Sequence, residues 1–320
     1  MSPYGSKPRQ QSELATLLLN DRHGHLPTNN PPPNPPPPNR PRLPGPAQSP
    51  PPPHHHLRRP SSLRRPSVGQ WGLENFLVSI GGDIIEVVAP SKPGTTAGRL
   101  LERRGEGGYM IIMQTGDAEA RRKEVEAAGG PKVIFGHEFS HQYESWDGEK
   151  DEGWCIQYHP KGTKGGMMPE LDSHAVCERN SDPLGERFSP WHACGKEYER
   201  YVELMEESGE LHLLGCTLRL AEGDGDVGGA ARQWSDLFGI PLSRGELAFT
   251  NARVGFVKGQ EKRSEGLTLI TIGVGSENRL SGILNRAREE GLWRAADGSF
   301  LMLGIMWKVV LLDGYIKARL

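Results

Sequence analysis

Residues 107–115 read GGYMIIMQT, followed by DAEARRKEVEAAGG at 117–130, PKVIFGHEF at 131–139, WCIQYHP at 154–160 and GGMMPELDSH at 165–174. The short apolar runs predict strands, and the charged segment predicts a helix. Asp117 is a typical N-cap residue, Glu119 falls in the first turn, and Gly129 follows the last turn. The predicted order is therefore strand, helix and then further strands.

This order recurs along the chain. A second unit opens with LHLLGCTLRL at 211–220 and continues into an apolar helical stripe that ends at Gly239. A third opens with GLTLITIGV at 266–274 and continues into a helix capped by Ser276. Upstream, LENFLVSI and DIIEVVAP read as a hairpin around Gly81. A spacing of about 50 to 60 residues is typical of tandem supersecondary modules that pack on one another.

Composition divides the chain of 320 residues into two parts. Residues 1–70 hold 9 of the 38 Lys and Arg but only 2 of the 40 Asp and Glu, together with 19 of the 27 prolines. Proline runs favour extended polyproline II and donate no backbone hydrogen bonds to a sheet. We therefore expect a disordered, basic, Pro-rich tail at 1–70. Folded regions are expected at 71–176 and 210–314, joined at 177–209 by a linker with a short helix.

Charge and cysteine usage restrict the location and partners of the protein. The tail carries a formal charge of +7 and the remainder −9, which argues against specific nucleic-acid binding by the folded part. The four cysteines form no CxxC pair, which favours reduced thiols in a cytoplasmic protein. The longest apolar run falls short of the ~20 residues of a membrane span.

The tail carries its own motifs. LRRPSSLRRPS places Ser61 and Ser67 after paired arginines, a spacing that basophilic kinases read, and phosphate there would cancel much of the positive charge. The proline runs are of the kind that dock SH3 or WW grooves. Chance occurrence in a basic linker is the alternative for both motifs.

Two glutamates stand out within apolar strands. Glu86 lies in GGDIIEVVAP and Glu170 in GGMMPELDSH. A buried carboxylate costs roughly 2 kcal/mol or more unless a partner compensates, so the pair indicates a site. Pairing of Glu86 with Arg99 or Arg103 to stabilise the sheet is the alternative. In WCIQYHP, strand alternation puts Cys155, Gln157 and His159 on one face.

These segments resemble the vicinal oxygen chelate superfamily, in particular its glyoxalase-like members. The resemblance covers residues 71 to about 314 and is most specific in GGDIIEVVAP, in residues 95–117 and in IQYHPKGTKGGMMPELD. It implies an α+β fold in which tandem βαβββ modules form cupped mixed sheets with helices outside. It also implies a small molecule bound in the cup between modules.

In catalytic members a divalent metal (Zn, Ni, Mn, Fe or Co) sits in the cup, held from the first and last strands of paired modules. The last-strand positions correspond to Glu86 and Glu170, and one of them, Glu170, is the candidate base. The first-strand position corresponds to Met110, a poor ligand for a hard ion. His159 is the candidate replacement ligand, and Gln157 the candidate substrate contact.

Three functions remain open at this stage. The first is a metal-dependent lyase, isomerase or dioxygenase. The second is a metal-free binding protein resembling the bleomycin-resistance proteins, which Met110 favours. The third is a truncated, inactive gene product, because the Pro-rich tail stands where the first strand and helix of the first module belong. Such a chain would leave sheet surface for a second copy to cover, which gives a homodimer.

Overall fold

The computed structural model describes residues 14–20, 66–294 and 298–312. In this part of the chain, 14 strands form two seven-stranded mixed sheets with five α-helices. The expected α+β fold is therefore confirmed. No helix in the described part of the chain is long and apolar enough to cross a membrane.

The first sheet has the spatial order β2-β3-β1-β4-β7-β6-β5. Its strands are β1 (Leu14–Asn20), β2 (Leu73–Ile80), β3 (Asp83–Pro90), β4 (Gly107–Gln114), β5 (Val133–Gln142), β6 (Lys150–Tyr158) and β7 (Met168–His174).

The second sheet has the order β13-β14-β12-β8-β11-β10-β9. Its strands are β8 (Leu211–Arg219), β9 (Leu242–Ser243), β10 (Glu246–Ala248), β11 (Arg253–Val257), β12 (Gly266–Val274), β13 (Ser299–Met302) and β14 (Ile305–Leu311). The helices are α1 (Thr96–Arg104), α2 (Ala118–Ala127), α3 (Tyr198–Glu207), α4 (Val227–Phe238) and α5 (Glu277–Glu289).

The described residues contain two complete βαβββ modules. One runs β4-α2-β5-β6-β7 and the other β8-α4-β9-β10-β11, and in each the first strand pairs parallel with the last. Helix α2 begins and ends where the sequence predicts, and α4 ends where the sequence predicts. The Asp117 carboxylate accepts a hydrogen bond from the Ala120 amide at 2.8 Å, and Gly239 ends α4 with φ 74°. The third predicted helix is capped by Ser276.

Strand β1 lies inside the segment 1–70, so the prediction of disorder does not hold for residues 14–20. Residues 1–13 and 21–65, which include the candidate phosphosite Ser61, lie outside the described residues. Ser67 lies in a 3-10 helix, Pro66–Trp71. The central strand missing from the sequence pattern of the first module is thus supplied by the tail.

The direction of β1 distinguishes the two sheets. In the second sheet, the central strands β8 and β12 are antiparallel to each other. Each is parallel to the last strand of its own unit, β8 to β11 and β12 to β14. In the first sheet β1 is parallel to β4 and antiparallel to β3. Strand β1 therefore occupies the position of a first strand but runs the opposite way.

One apolar core connects the sheets. It includes Ile111 and Ile156 of the first sheet with Leu213 and Ile270 of the second, all fully buried. The helix α4, which belongs to the second sheet's module, places Phe238 edge-on to Tyr158 of β6 with ring centroids 5.6 Å apart. The opposite, cupped face of the first sheet is left to form a cavity.

A polar contact also joins the halves. At the turn into β3, the buried Asp83 carboxylate accepts a hydrogen bond from the Asn251 amide. Burial raises the pKa of Asp83 to about 7, while Asn251, the Leu213 backbone and Arg187 oppose that rise. Asp83 is thus protonated in the folded chain at pH 5, whereas its pKa is near 3.8 when unfolded.

This shift predicts a pH dependence of stability. Because the native state holds a proton that the unfolded state releases, the free energy of unfolding should fall by about 2–3 kcal/mol between pH 5 and 7.5. Urea unfolding at pH 5 and at pH 7.5 measures this fall in free energy, and the variant Asp83→Asn should not show it. The exposed Asp236→Asn on α4 is the control. An unchanged slope in Asp83→Asn would contradict the assignment.

Candidate functional site

A cavity of about 440 Å³ lies on the cupped face of the first sheet. Its floor is formed by β3, β4, β6 and β7, and one wall by the N-terminal end of α1 and the segment at Val68 and Trp71. The far wall includes His192, from the insertion between β7 and α3. The insertion expected as a linker therefore covers part of the site.

Glu86 faces this cavity from β3 and is 6% exposed. The alternation of the strand explains the orientation, because Ile85 and Val87 on either side are buried on the other face. The side-chain amide of Asn75 on β2 donates a short hydrogen bond to Glu86 Oε1. Asn75 is a partner that the sequence does not indicate.

Arg99 is one of the two arginines that the sequence offers as an alternative partner of Glu86. Its guanidinium donates hydrogen bonds to Gly94 O and Thr96 Oγ1.

Glu170 faces the same cavity from β7 and is 4% exposed. The amide of Gln157 on β6 donates to Glu170 Oε2 at 2.7 Å. Gln157 and Cys155 both line the cavity, while Ile156 is buried in the core, as strand alternation predicts. Each glutamate therefore has an amide donor that stabilises a buried carboxylate.

Tyr109 shows that the two glutamates share one site. Burial raises the pKa of the Tyr109 hydroxyl to about 12, and the negative charges of Glu86 and then Glu170 add to the rise. The phenol is thus protonated at neutral pH and can donate a hydrogen bond within the cavity. A neutral donor next to two carboxylates can bind the polar end of a small molecule.

The ligand set that the sequence resemblance implies for a hard metal ion is not assembled around these glutamates in the described residues. Met110 lines the cavity from the first-strand position, and thioether sulfur is a soft ligand. His159 lies outside the cavity lining. Its Nδ1 accepts a hydrogen bond from the Lys161 amide at 3.1 Å and caps a 3-10 helix, Pro160–Gly162. The strand ends at Tyr158, so the predicted alternation does not extend to His159.

A different group of side chains, of types that can ligate a metal, lies in the cavity wall of the described structure. One ligand atom each from His137, Cys155 and His192 all fall within 4.8 Å of one another. His137 comes from β5, Cys155 from β6 and His192 from the insertion. His137 and Cys155 are directly opposed across the two antiparallel strands. The Nε2 atoms of His137 and His192 are 3.3 Å apart.

The sequence alone does not indicate this group of three residues. His137 belongs to VIFGHEFSHQ, which is polar enough to resemble a loop, although Phe135, His137, Phe139 and His141 alternate as residues on one strand face do. No sequence pattern marks His192 as a site residue, because its position depends on how the insertion packs. The nearby Trp191 indole is held by a 3.0 Å hydrogen bond to Gly82 O.

A buried ionic network supports the cavity wall at His192. His174 Nδ1 lies 2.7 Å from Asp151 Oδ1, and its Nε2 lies 3.5 Å from Asp172 Oδ2. Burial alone would lower the pKa of His174, but Asp172 and Asp151 together raise it to about 10. The Tyr143 hydroxyl donates to Asp151, and Asp172 accepts from the His192 amide at 2.8 Å. The network therefore fixes the backbone that carries His192.

The second sheet has a smaller cavity of about 230 Å³ with different chemistry. Its lining includes Glu246, Arg253 and Lys308. The Arg253 guanidinium is held by Phe249 O at 2.7 Å and Ala252 O at 3.0 Å. The two sheets therefore do not present the same kind of site, and the carboxylate pair belongs to the first.

No protein-family profile and no curated protein matches the chain. Solved structures similar to it include BphC, a halotolerant catechol dioxygenase, at 14% identity over 64% of this chain and 67% of that chain, with a TM-score of 0.34. A catechol 2,3-dioxygenase is 16% identical over 63% and 68%, with the same TM-score. A 2,2',3-trihydroxybiphenyl 1,2-dioxygenase from Sphingomonas wittichii strain RW1 is 11% identical over 63% and 70%, also at 0.34.

Proposed function

We propose that this chain is a glyoxalase-like protein of vicinal oxygen chelate type that binds a small molecule in the cavity of the first sheet. The observation that carries the proposal is the pair Glu86 and Glu170, each buried, each held by an amide, and both in the lining of one cavity. A volume of about 440 Å³ lies within the range of small-molecule sites.

The lining predicts the class of ligand. Val88, Met110, Ile112, Phe135 and Met168 supply apolar surface for a hydrocarbon or aromatic body. Carboxyl oxygens accept hydrogen bonds, so Glu86 and Glu170 favour a ligand with hydroxyl or ammonium donors over an anion. The favoured ligand is therefore a small aromatic or aliphatic amine or diol.

Binding measurements test this selection directly. Phenethylamine and catechol should bind in calorimetric titrations, and benzoate should not. Glu86→Gln and Glu170→Gln should each weaken binding of phenethylamine by about tenfold or more, because a hydrogen bond to a charged group contributes about 1.5–3 kcal/mol. The exposed Glu138→Gln on β5 is the control. Equal binding of benzoate, or an unchanged Kd in both cavity variants, would count against the proposal.

A second candidate is an isomerase or lyase in which Glu170 acts as general base. It is favoured by the position of Glu170, which lies in the same cavity as the neutral Tyr109 hydroxyl. Glu170, oriented by Gln157, would take a proton from a carbon next to a carbonyl, and Tyr109 would donate a hydrogen bond to the carbonyl oxygen. A carbon acid such as hydroxyacetone should then exchange hydrogen for deuterium in D₂O, as followed by NMR, and Glu170→Gln should abolish the exchange.

A further inference from the structure

We propose that His137, Cys155 and His192 bind one Zn²⁺ ion in the cavity wall, with a fourth position open to the cavity. The site lies in the wall of the proposed ligand pocket and does not depend on any organic ligand. It also differs from the carboxylate site that the family resemblance implies, because its donors are nitrogen and sulfur. The inference rests on the geometry of the three donors, their chemistry and the way they are held.

The spacing of the donors agrees with a tetrahedral zinc site. Zinc binds imidazole nitrogen at about 2.0–2.1 Å, so two nitrogens at a tetrahedral angle lie about 3.3–3.4 Å apart. The Nε2 atoms of His137 and His192 are separated by 3.3 Å. With a zinc–sulfur distance of about 2.3 Å, the nitrogen–sulfur separation should be about 3.6 Å. The donor atoms of all three residues lie within 4.8 Å of one another, so the sulfur would have to approach the nitrogens by at most about 1.2 Å to reach this separation.

The donor set selects the metal. Two imidazoles and one thiolate suit Zn²⁺, whereas Mg²⁺ and Ca²⁺ prefer oxygen ligands. Three protein ligands with a free position are typical of catalytic zinc sites, whereas structural sites have four. Because all three residues also line the cavity, the fourth position faces the space that a ligand or water would occupy. A metal at this place would also deprotonate the buried Cys155 thiol.

The surroundings hold the donors in place. Phe135 and Phe139 flank His137, with ring centroids 5.1 Å and 6.5 Å away. Phe139 also packs edge-on against His192 at 4.6 Å. The His192 backbone is fixed by its hydrogen bond to Asp172. Such supporting contacts restrict the movement of the donors and reduce the cost of assembling a metal site.

A hydrogen bond between the two rings is the competing explanation for the 3.3 Å separation. It requires one imidazole to donate and the other to accept, and it needs no contribution from Cys155. The two explanations therefore differ in the role of the thiol, and the experiment should report on sulfur ligation.

Cobalt(II) provides this readout. The full chain, freed of metal with a chelator, should bind about one equivalent of Co²⁺ and show a thiolate-to-cobalt charge-transfer band in the near ultraviolet and the visible bands of tetrahedral cobalt. Added Zn²⁺ should displace the cobalt and remove the charge-transfer band and the visible bands. Cys155→Ser and Cys155→Ala should lose the charge-transfer band. His137→Gln and His192→Gln should each weaken cobalt binding by at least about 100-fold. Loss of a residue that only supports a metal ligand typically weakens binding by about 10- to 100-fold.

Matched variants separate the explanations. Cys216→Ser removes an equally buried cysteine from the second sheet, and His141→Gln removes a histidine from the same face of β5, so both should keep the band. Circular dichroism and the thermal midpoint should show that the Cys155 variants are folded. A band that persists without Cys155, or no stoichiometric binding by the folded wild type, would overturn the site. Cobalt binding lost in Glu86→Gln or Glu170→Gln but retained in Cys155→Ala would point to the carboxylates instead.

Discussion

Leu17→Pro is expected to lower the free energy of unfolding by about 3 kcal/mol or more. Leu17 lies in the middle of β1, opposite Ile85 of β3 and Ile111 of β4. Proline removes the backbone donor and its ring disturbs pairing, and central strands do not tolerate it. Because β1 is the only connection between β3 and β4 in the order of the described strands, its loss would open the sheet directly beneath the cavity.

Urea unfolding followed by circular dichroism measures this effect. Gln48→Pro, outside the described residues and in a segment already rich in proline, is the control and should leave the midpoint unchanged. Exposed backbone edges of β3 and β4 invite pairing between chains, so Leu17→Pro should also increase light scattering on warming. A variant as stable as the wild type, with no additional light scattering, would show that the tail strand contributes nothing to the sheet.

The parts of the fold that depend on local signals could be predicted from the sequence. Asp117 and Gly239 bound their helices as expected, because capping is decided by residues within one turn. The orientation of Cys155 and Gln157 followed from strand alternation, since every second residue of a strand shares a face. Glu86 and Glu170 were identified because a carboxylate within an apolar strand requires a compensating partner.

The remaining parts depend on residues that are distant in the chain. The compensating partners of the glutamates are Asn75 and Gln157, 11 and 13 positions away, and neither is implied by composition. His192 reaches the cavity only because the insertion folds back onto Asp172. The strand β1 was missed because its seven residues are embedded in a Pro-rich tail, where the average composition outweighs a short apolar run.

The second large effect is expected for Asp151→Asn, which should cost about 3 kcal/mol at pH 7. His174 is buried and is held in its charged form by Asp172 and Asp151. Removing one partner of a buried ion pair leaves charge uncompensated, which typically costs about 3–5 kcal/mol. The substituted amide keeps the shape of the side chain and a hydrogen-bond acceptor, and Asp172 remains, so the lower end of this range is expected.

The pH dependence identifies the charge as the cause. The folded pKa of His174 is about 10, above its ordinary value of 6.5. Its stabilising contribution is therefore complete below about pH 6.5 and is lost as pH rises toward 10. In Asp151→Asn the folded pKa of His174 should be lower, so this variant should lose less stability as pH rises. The difference in unfolding free energy between the wild type and the variant should therefore shrink between pH 7 and 10.

The exposed neighbour Glu152 supplies the control, because Glu152→Gln changes the same charge on the same strand without touching His174. Its unfolding free energy should stay within about 0.5 kcal/mol of the wild type at every pH. A difference for Asp151→Asn that stays constant from pH 7 to 10 would attribute the loss to packing or to the Tyr143 hydrogen bond. A difference that closes as His174 deprotonates would establish that the support behind His192 is electrostatic.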